Sequence, residues 1–302
     1  LLGAATNLKV IGRAGIGVDN IDLKAASKKG VIVMNTPFGN MITTAEHAIA
    51  MMFAVARQIP EASESTHAGK WEKSKFMGVE LTNKVLGLVG AGNIGSIVAS
   101  RALGLKMKVL AYDPFLSEER AKELGVTKVE LDELYSKSDF ITLHVPKTDA
   151  TAGMISEEAI NKMKPGVRIV NCARGGLVDE TALAKALNSG HVAGAAFDVF
   201  SVEPATNSPL FNLKNVVVTP HLGAATTEAQ ENVALQVAEQ LMFNDPNNTK
   251  GATDIKISQD VLNRLRSFKG VSTFKKAAMN LLVKTADEKE VGELRAAFQA
   301  ID

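Results

Sequence analysis

An α/β fold with a doubly wound parallel sheet is what this chain predicts, and three observations predict it. From Lys84 onward, apolar β-type runs alternate with helical patterns, an order that gives a parallel sheet covered on both faces. A glycine-rich turn, Gly90-Ala91-Gly92-Asn93-Ile94-Gly95, joins the first of those runs to the first of those helices. At about Phe243 the β pattern stops and only helical periodicity continues.

Bulk composition narrows the class. The 302 residues suffice for two domains with real cores. Hydrophobic residues at 46% and charged residues at 22% describe an ordinary globular chain. A net charge of +1 gives no general attraction to nucleic acid or to an acidic membrane. The single Cys172 forms no internal disulfide and offers no cysteine metal cluster, so no metal is expected and a reducing cytoplasm is the natural compartment. The richest apolar run, Ala45 to Val55, is too short and too interrupted by Glu46 and His47 to span a bilayer. No signal-peptide pattern occurs. Leu1 to Ala5 reads as the end of a helix, so the chain is expected to begin inside a longer protein.

The elements follow in order. Lys9-Val10-Ile11 and Val31-Ile32-Val33-Met34 read as short buried parallel strands, with a helix over Asp22 to Lys29 between them. Thr43 and Glu46 form a capping-box pattern that opens a helix to about Gln58, where Pro60 stops it. That helix is apolar nearly all round and is expected to bury itself against another domain or subunit. Strands follow at Val85–Val89, Lys108–Tyr112, Phe140–His144, Arg168–Asn171, Ala193–Phe197 and Asn215–Thr219. Helices are expected at Ile94–Leu103, Glu118–Leu124, Glu157–Met163 and Glu180–Asn188. Asn244-Asp245-Pro246-Asn247-Asn248 is a linker signal. Beyond it, Val261–Phe268, Phe274–Lys284 and Lys289–Ile301 read as helices, the last opened by Thr285 and Glu288.

The glycine turn is a GxGxxG in the context that makes it a dinucleotide fingerprint: strand before, helix after, and Tyr112-Asp113 at the end of the next strand. Gly90 permits the tight turn, Gly92 lets the backbone approach a pyrophosphate, and Gly95 lets helix and strand pack closely. The helix starting near Ile94 offers N–H groups to the phosphates. Asp113 would accept from ribose hydroxyls and repel a 2′-phosphate, which favours NAD over NADP. The sheet is thus read as a Rossmann sheet with NAD as its cofactor.

Three residues after strand ends suggest chemistry. His221 is the candidate base, because imidazole titrates near working pH. Glu203 is the candidate orienter of that ring. Arg174, in Asn171-Cys172-Ala173-Arg174-Gly175-Gly176, is the candidate clamp for a substrate carboxylate, a two-point geometry that Lys does not match. Singly, each has a plain alternative as surface ion pair, solvated loop acid or turn residue. As a set at strand carboxyl ends, they point to hydride transfer on a small anionic 2-hydroxy acid. His47 reads as a core or interface residue, His67 and His191 as loop residues, and His144 as a buried, hydrogen-bonded residue near the cofactor cleft. Cys172 lacks an evident base and reads as site wall.

Several stretches carry a family resemblance: Gly12 to Asn20, Met34 to Asn40, Gly69-Lys70-Trp71-Glu72, Phe76-Met77-Gly78, Asn171 to Asp179 and Pro220 to Ala224. Through them, residues from about Leu8 to Gln240 resemble the D-isomer-specific 2-hydroxyacid dehydrogenases. The resemblance implies NAD-dependent oxidation of a D-2-hydroxy acid; in the branch most resembled, that is 3-phosphoglycerate to 3-phosphohydroxypyruvate, which opens serine synthesis. It implies the roles of Arg174, Glu203 and His221 given above. It further implies cofactor contacts from Asn93, Ile94, Asp113, Cys172, Ala173, Asp198, Gly223 and Ala224, and backbone contacts to the substrate carboxylate from Ala14, Gly15 and Ile16. The family's Thr after the central-strand His is Val145 here, so that hydroxyl contact is lost. A homodimer built on the helix over 43–58 is implied, and the basic loop Lys70 to Lys75 reads either as reaching a partner's substrate phosphate or as a solvated charge run.

The resemblance also sets the domain layout. Residues 1–36 plus 222–243 would be a truncated, flavodoxin-like substrate domain with its front half outside the chain. Residues 37–221 would be the NAD-binding domain, and 244–302 a linker and helical tail. The tail, from Leu262 to Asp302, resembles the junction region of calcium-dependent protein kinases, without a calcium loop. Two other functional readings stand beside the dehydrogenase one: a non-catalytic NAD-sensing protein on the same scaffold, and a calcium-signalling fragment whose working part is the tail.

Overall fold

A computed structural model of the chain describes residues 2–243. The tail helices over 261–301, their Thr285/Glu288 cap and the kinase-junction resemblance lie outside the described residues. The chain divides into two compact units, one of residues 1–40 with 225 onward and one of residues 41–224. Sequence alone places these junctions at 36/37 and 221/222.

The first unit holds β1 (Val10–Arg13), α1 (Leu23–Lys28), β2 (Ile32–Asn35) and α9 (Thr227–Phe243). β1 and β2 pair in parallel, Val10 opposite Ile32 and Arg13 opposite Asn35. Asp22 caps α1 by accepting from Ala25 N at 2.9 Å, which satisfies one of the orphan amides of the first turn. Residues 2–4 form turns rather than the expected helix end. Gly3 within that stretch disfavours helix.

The second unit is a seven-stranded parallel sheet in the order β5-β4-β3-β6-β7-β8-β9. Its strands are β3 (Val85–Val89), β4 (Lys108–Tyr112), β5 (Thr127–Lys128), β6 (Phe140–Leu143), β7 (Val167–Asn171), β8 (Val192–Phe197) and β9 (Val216–Val218). Its helices are α2 (Met41–Arg57), α3 (Ile59–His67), α4 (Asn93–Gly104), α5 (Glu118–Leu124), α6 (Leu131–Lys137), α7 (Glu157–Lys162) and α8 (Glu180–Ser189). The central strands carry no alternation: every residue of β6 is buried, because helices cover both faces. On one face Leu86, Leu88 and Phe140 pack with Met52, Val98 and Ala99. On the other, Ile141, Ile169 and Phe197 pack with Leu134, Ile160 and Leu183.

Helix starts follow side-chain chemistry. Ser117, Ser156 and Asp179 each accept from amides in the first turns of α5, α7 and α8. Gly125 and Gly190 close α5 and α8 in the left-handed conformation.

Three expectations near α2 need correction. The helix begins at Met41, so Thr43 lies inside its first turn and is not a cap. Helix α2 ends at Arg57, close to the expected Gln58, but a further helix follows at once: Gln58 turns left-handed (φ 51°) and α3 starts at Ile59, with Pro60 in the first turn where a missing N–H costs nothing. His67 therefore closes a helix instead of sitting in a loop. The buried side of α2 (Ala45, Ala48, Met51, Met52, Val55, Ala56) is spent within its own unit, in the core shared with β3 and α4. Helix α6 and the short β5 carry no expectation from the sequence.

Candidate active site

The strand order reverses direction of growth between β3 and β6, and ligands of open α/β sheets bind in the crevice beyond the carboxyl ends at such a point. The glycine turn follows β3. Gly90 has φ 94°, and its N–H bonds Tyr112 O at 2.8 Å. A Cβ there would lie 2.5 Å from His144 O, and one on Gly95 would lie 2.0 Å from Gly90 O. Gly92, at the N-cap of α4, faces open space, with nothing within 4 Å of an added Cβ. The first intrahelical bond of α4 runs from Ser96 N to Gly92 O, leaving the amides of Asn93, Ile94 and Gly95 without a helical acceptor. Asp113, just past β4, holds the turn by accepting from Ala91 N and Phe115 N, both at 2.8 Å. A closed turn, an open Gly92 and unclaimed helix amides fit the pyrophosphate of a dinucleotide.

The pair of His221 and Glu203 is assembled from two loops. His221 follows β9 in the left-handed region (φ 57°), where a non-glycine residue needs outside support. That support is its backbone N–H to Asp198 O at 2.8 Å. Its Nδ1 donates to Glu203 Oε2 at 2.7 Å, and Glu203 Oε1 accepts from Phe200 N at 3.1 Å. Because Nδ1 is committed to the carboxylate, Nε2 is the ring atom left to face a reactant. A cavity of about 520 Å³ beside the pair is walled by Phe200, Phe211, Val218 and Pro220, with Phe200 and Phe211 edge to face at 5.4 Å.

Arg174 lies in the loop after β7, next in the sheet to β8, which precedes Glu203; β9, which precedes His221, is one strand further out. Asn171, 1% exposed, shapes that loop: its side chain donates to Arg174 O (2.9 Å) and accepts from Ala173 N (3.1 Å). Gly175 brings the Arg174 loop against the Glu203 loop, for a Cβ there would lie 1.6 Å from Phe200 O. Glu180, at the start of α8, ties the Glu203 loop down by accepting from Ser201 N, Ser201 Oγ and Ser208 Oγ.

Asp198 is fully buried at the carboxyl end of β8 and anchors the turn after His221. Its carboxylate accepts from Thr219 Oγ1 (2.5 Å), Leu222 N (2.7 Å) and Gly223 N (2.7 Å). His47 of α2 closes the set, its Nε2 3.2 Å from Asp198 Oδ1 and 3.3 Å from Thr219 Oγ1. Burial pushes the carboxyl up, but the bonds from His47, Thr219 and Leu222 outweigh it and hold Asp198 below the usual carboxylate value. Both oxygens of Asp198 are thus already engaged, a structural duty beside the cofactor contact expected of it.

The remaining residues sort as follows. Ala224, last residue of this unit, directly follows the Asp198-anchored turn. Cys172 is buried, and burial with the Asp198 charge raises its thiol far from the thiolate form, so it is wall. His144 bonds Thr142 Oγ1 through Nε2 at 2.9 Å; burial lowers it to about 4, which keeps it neutral. His191 Nε2 reaches Ile160 O at 3.0 Å. In the basic loop, Lys75 pairs with Glu72 at 3.3 Å. Ala14–Ile16 follow β1 in the other unit. There Gly15 N–H is taken by Thr36 Oγ1 at 2.7 Å and Asn35 Nδ2 bonds Ile16 O at 2.8 Å, so the Gly15 amide is committed within its own loop. Asn171 has a sequence signal, an Asx turn at a strand end. Thr219, Glu180 and the pairing of His47 with Asp198 have none. Among the described residues no group of three or more His, Cys, Asp or Glu side chains is placed to hold a metal ion, and no helix is long and apolar enough to cross a membrane.

Residues 49–223 match the family described as D-isomer specific 2-hydroxyacid dehydrogenase, NAD binding domain. The chain is 51% identical over 272 residues to a D-3-phosphoglycerate dehydrogenase of Synechocystis sp., covering 89% of this chain and 49% of that protein. It is 54% identical over 243 residues to one of Archaeoglobus fulgidus, covering 80% and 46%. A glyoxylate reductase from Paecilomyes thermophila superposes with a TM-score of 0.74 at 36% identity, over 78% of this chain and 72% of that one. The chain spans about half the length of the curated relatives it matches.

Proposed function

Since the chain belongs to the D-isomer specific 2-hydroxyacid dehydrogenases and carries their NAD-binding domain, we propose that it oxidises D-3-phosphoglycerate to 3-phosphohydroxypyruvate, the opening step of serine synthesis. The observation that carries the reading is the 2.7 Å contact between His221 Nδ1 and Glu203 Oε2 beyond the carboxyl ends of β8 and β9. Bound NAD supplies the acceptor for the hydride that leaves the substrate carbon.

The chain's own residues do the rest. His221 Nε2 takes the proton of the C2 hydroxyl as the carbonyl forms. Glu203 fixes the ring tautomer and stabilises the imidazolium that results. Arg174 grips the substrate carboxylate through its planar fork and sets the hydroxyl toward His221. The apolar side chains of Phe200, Phe211 and Val218 wall the cavity beside the pair. Two copies meet along α2, whose Ile42 is 51% exposed; light scattering on the purified chain tests this. The cytoplasm is the compartment, where the lone Cys172 stays reduced.

The decisive experiment is His221→Ala. Turnover with phosphoglycerate and NAD is expected to fall by about 10²–10⁴-fold, with NAD affinity nearly unchanged. Equal turnover in the variant refutes the assignment. Parallel assays with glycerate and lactate identify the acid, and tight NAD binding without any turnover favours a sensing role.

A further inference from the structure

We propose that residues 41–224 carry a second ligand site, for a small carboxylate, at the amino ends of β7, β8 and β9. That end of the sheet is opposite to His221. A cavity of about 330 Å³ there is lined by Val55, Gln58, Met77, Arg168, Lys214 and Asn215, among others. Its size is within the range of small-molecule pockets. Arg168 is the second residue of β7, and Lys214 and Asn215 lead into β9. The cavity belongs to no part of the proposed dehydrogenase chemistry.

Charge sets the ligand class. Arg168 is half-buried, and its guanidinium lies 5.6 Å over the Phe140 ring, which holds its plane. Among the described residues no carboxylate lies within salt-bridge distance of it. Asp139 reaches it only through its longer-range field, and the oxygens of Asp139 are engaged by Lys164 Nζ (2.6 Å) and Val85 N (2.9 Å). Lys214 brings a second positive charge, and no acid lines the cavity. A partly desolvated cation without a counterion is costly, and an anion in the cavity relieves that cost.

The lining is partly fixed from within the protein. Gln58 Nε2 donates to Asn215 Oδ1 at 2.6 Å. Arg168 Nη1 donates to Gly166 O at 3.4 Å, a long bond to a neutral acceptor that leaves the guanidinium charge uncompensated.

Calorimetric titration of the full 302-residue chain with acetate and methylammonium tests this. Acetate is expected to bind and methylammonium not to. Arg168→Gln is expected to weaken acetate by at least about tenfold and Lys214→Ala by several-fold. If Arg168→Gln does not fold, Lys214→Ala at an exposed position carries the test. Loss of acetate binding in Arg174→Ala alone would place the probe with the candidate active site and overturn the proposal, while leaving the dehydrogenase reading intact. Absence of acetate binding at any concentration up to tens of millimolar, or methylammonium binding as tightly as acetate, also overturns it.

Discussion

Replacing Gly175 by Ala asks whether the approach of two loops is what holds Glu203 against His221. The added Cβ would lie 1.6 Å from Phe200 O, 2.1 Å from Phe200 C and 2.9 Å from Ser201 N. To reach ordinary contact, the Phe200 carbonyl has to recede by roughly 1.5 Å or more. It does not move alone. Phe200 N–H bonds Glu203 Oε1, so the carboxylate is dragged with it, while Glu180 holds Ser201 and Ser208 in place from the other side. Overpacking against backbone costs about 1–3 kcal/mol or more. For a unit of this size each kcal/mol lowers Tm by roughly 2–4 °C, so a drop of about 5–10 °C is expected. A misplacement near 1 Å at the pair costs about 10²-fold in turnover. The sign is diagnostic: Gly175 is not left-handed, so without the close contact Ala would stabilise by about 0.4–1 kcal/mol. Thermal melts and steady-state rates on the variant are the assay. A variant that melts at or above the parent with unchanged rates refutes the reasoning.

Two further outcomes follow from the same geometry. Gly95→Ala, with its Cβ 2.0 Å from Gly90 O, is expected to open the turn and to weaken NAD by about tenfold or more, whereas Gly92→Ala, facing open space, keeps the parent melting point yet still weakens NAD; fluorescence titration with parental affinity in both variants would count against the phosphate cradle. Asp198 titrates below its usual value, so its contribution to stability is complete above about pH 4 and is lost as pH falls through the lowered folded value. Urea midpoints across pH 2–7 are therefore expected to show an acid limb in the parent that is flatter in Asp198→Asn, which is also less stable at pH 7 by about 2–3 kcal/mol; superimposable acid limbs would show that the buried carboxylate is not the group responsible.

Local signals were reliable where the physics is local. The helix spans at Asp22 to Lys29 and Glu118 to Leu124 were legible because their ends, capped by Asp22, Ser117 and Gly125, depend only on their own turns. The β3, β4 and β6 runs read as strands because a sheet covered on both faces demands uninterrupted apolar sequence. Thr43 misled because a capping pattern inside a helix looks like one at its start, and the helix starts at Met41. Pro60 marked the end of α2 but hid the start of α3, because the first turn of a new helix tolerates it as well as a helix end does. Helix α6 was invisible because Leu131 and Leu134 are too few to show a period, although Leu134 is fully buried in the fold.

The sequence by itself determined the sheet class, the dinucleotide turn and the identity of the three polar groups, since these depend on residue type and short spacing. Only the tertiary structure decided that His47, 151 positions away, would reach Asp198; that Asp198 would spend its oxygens on Thr219, Leu222 and Gly223; and that Phe200 would press on Gly175. Those contacts join strands that are neighbours in space but not in sequence, and no local preference encodes which loop meets which. The sheet order does, and it is fixed by how the whole set of helices covers two faces at once.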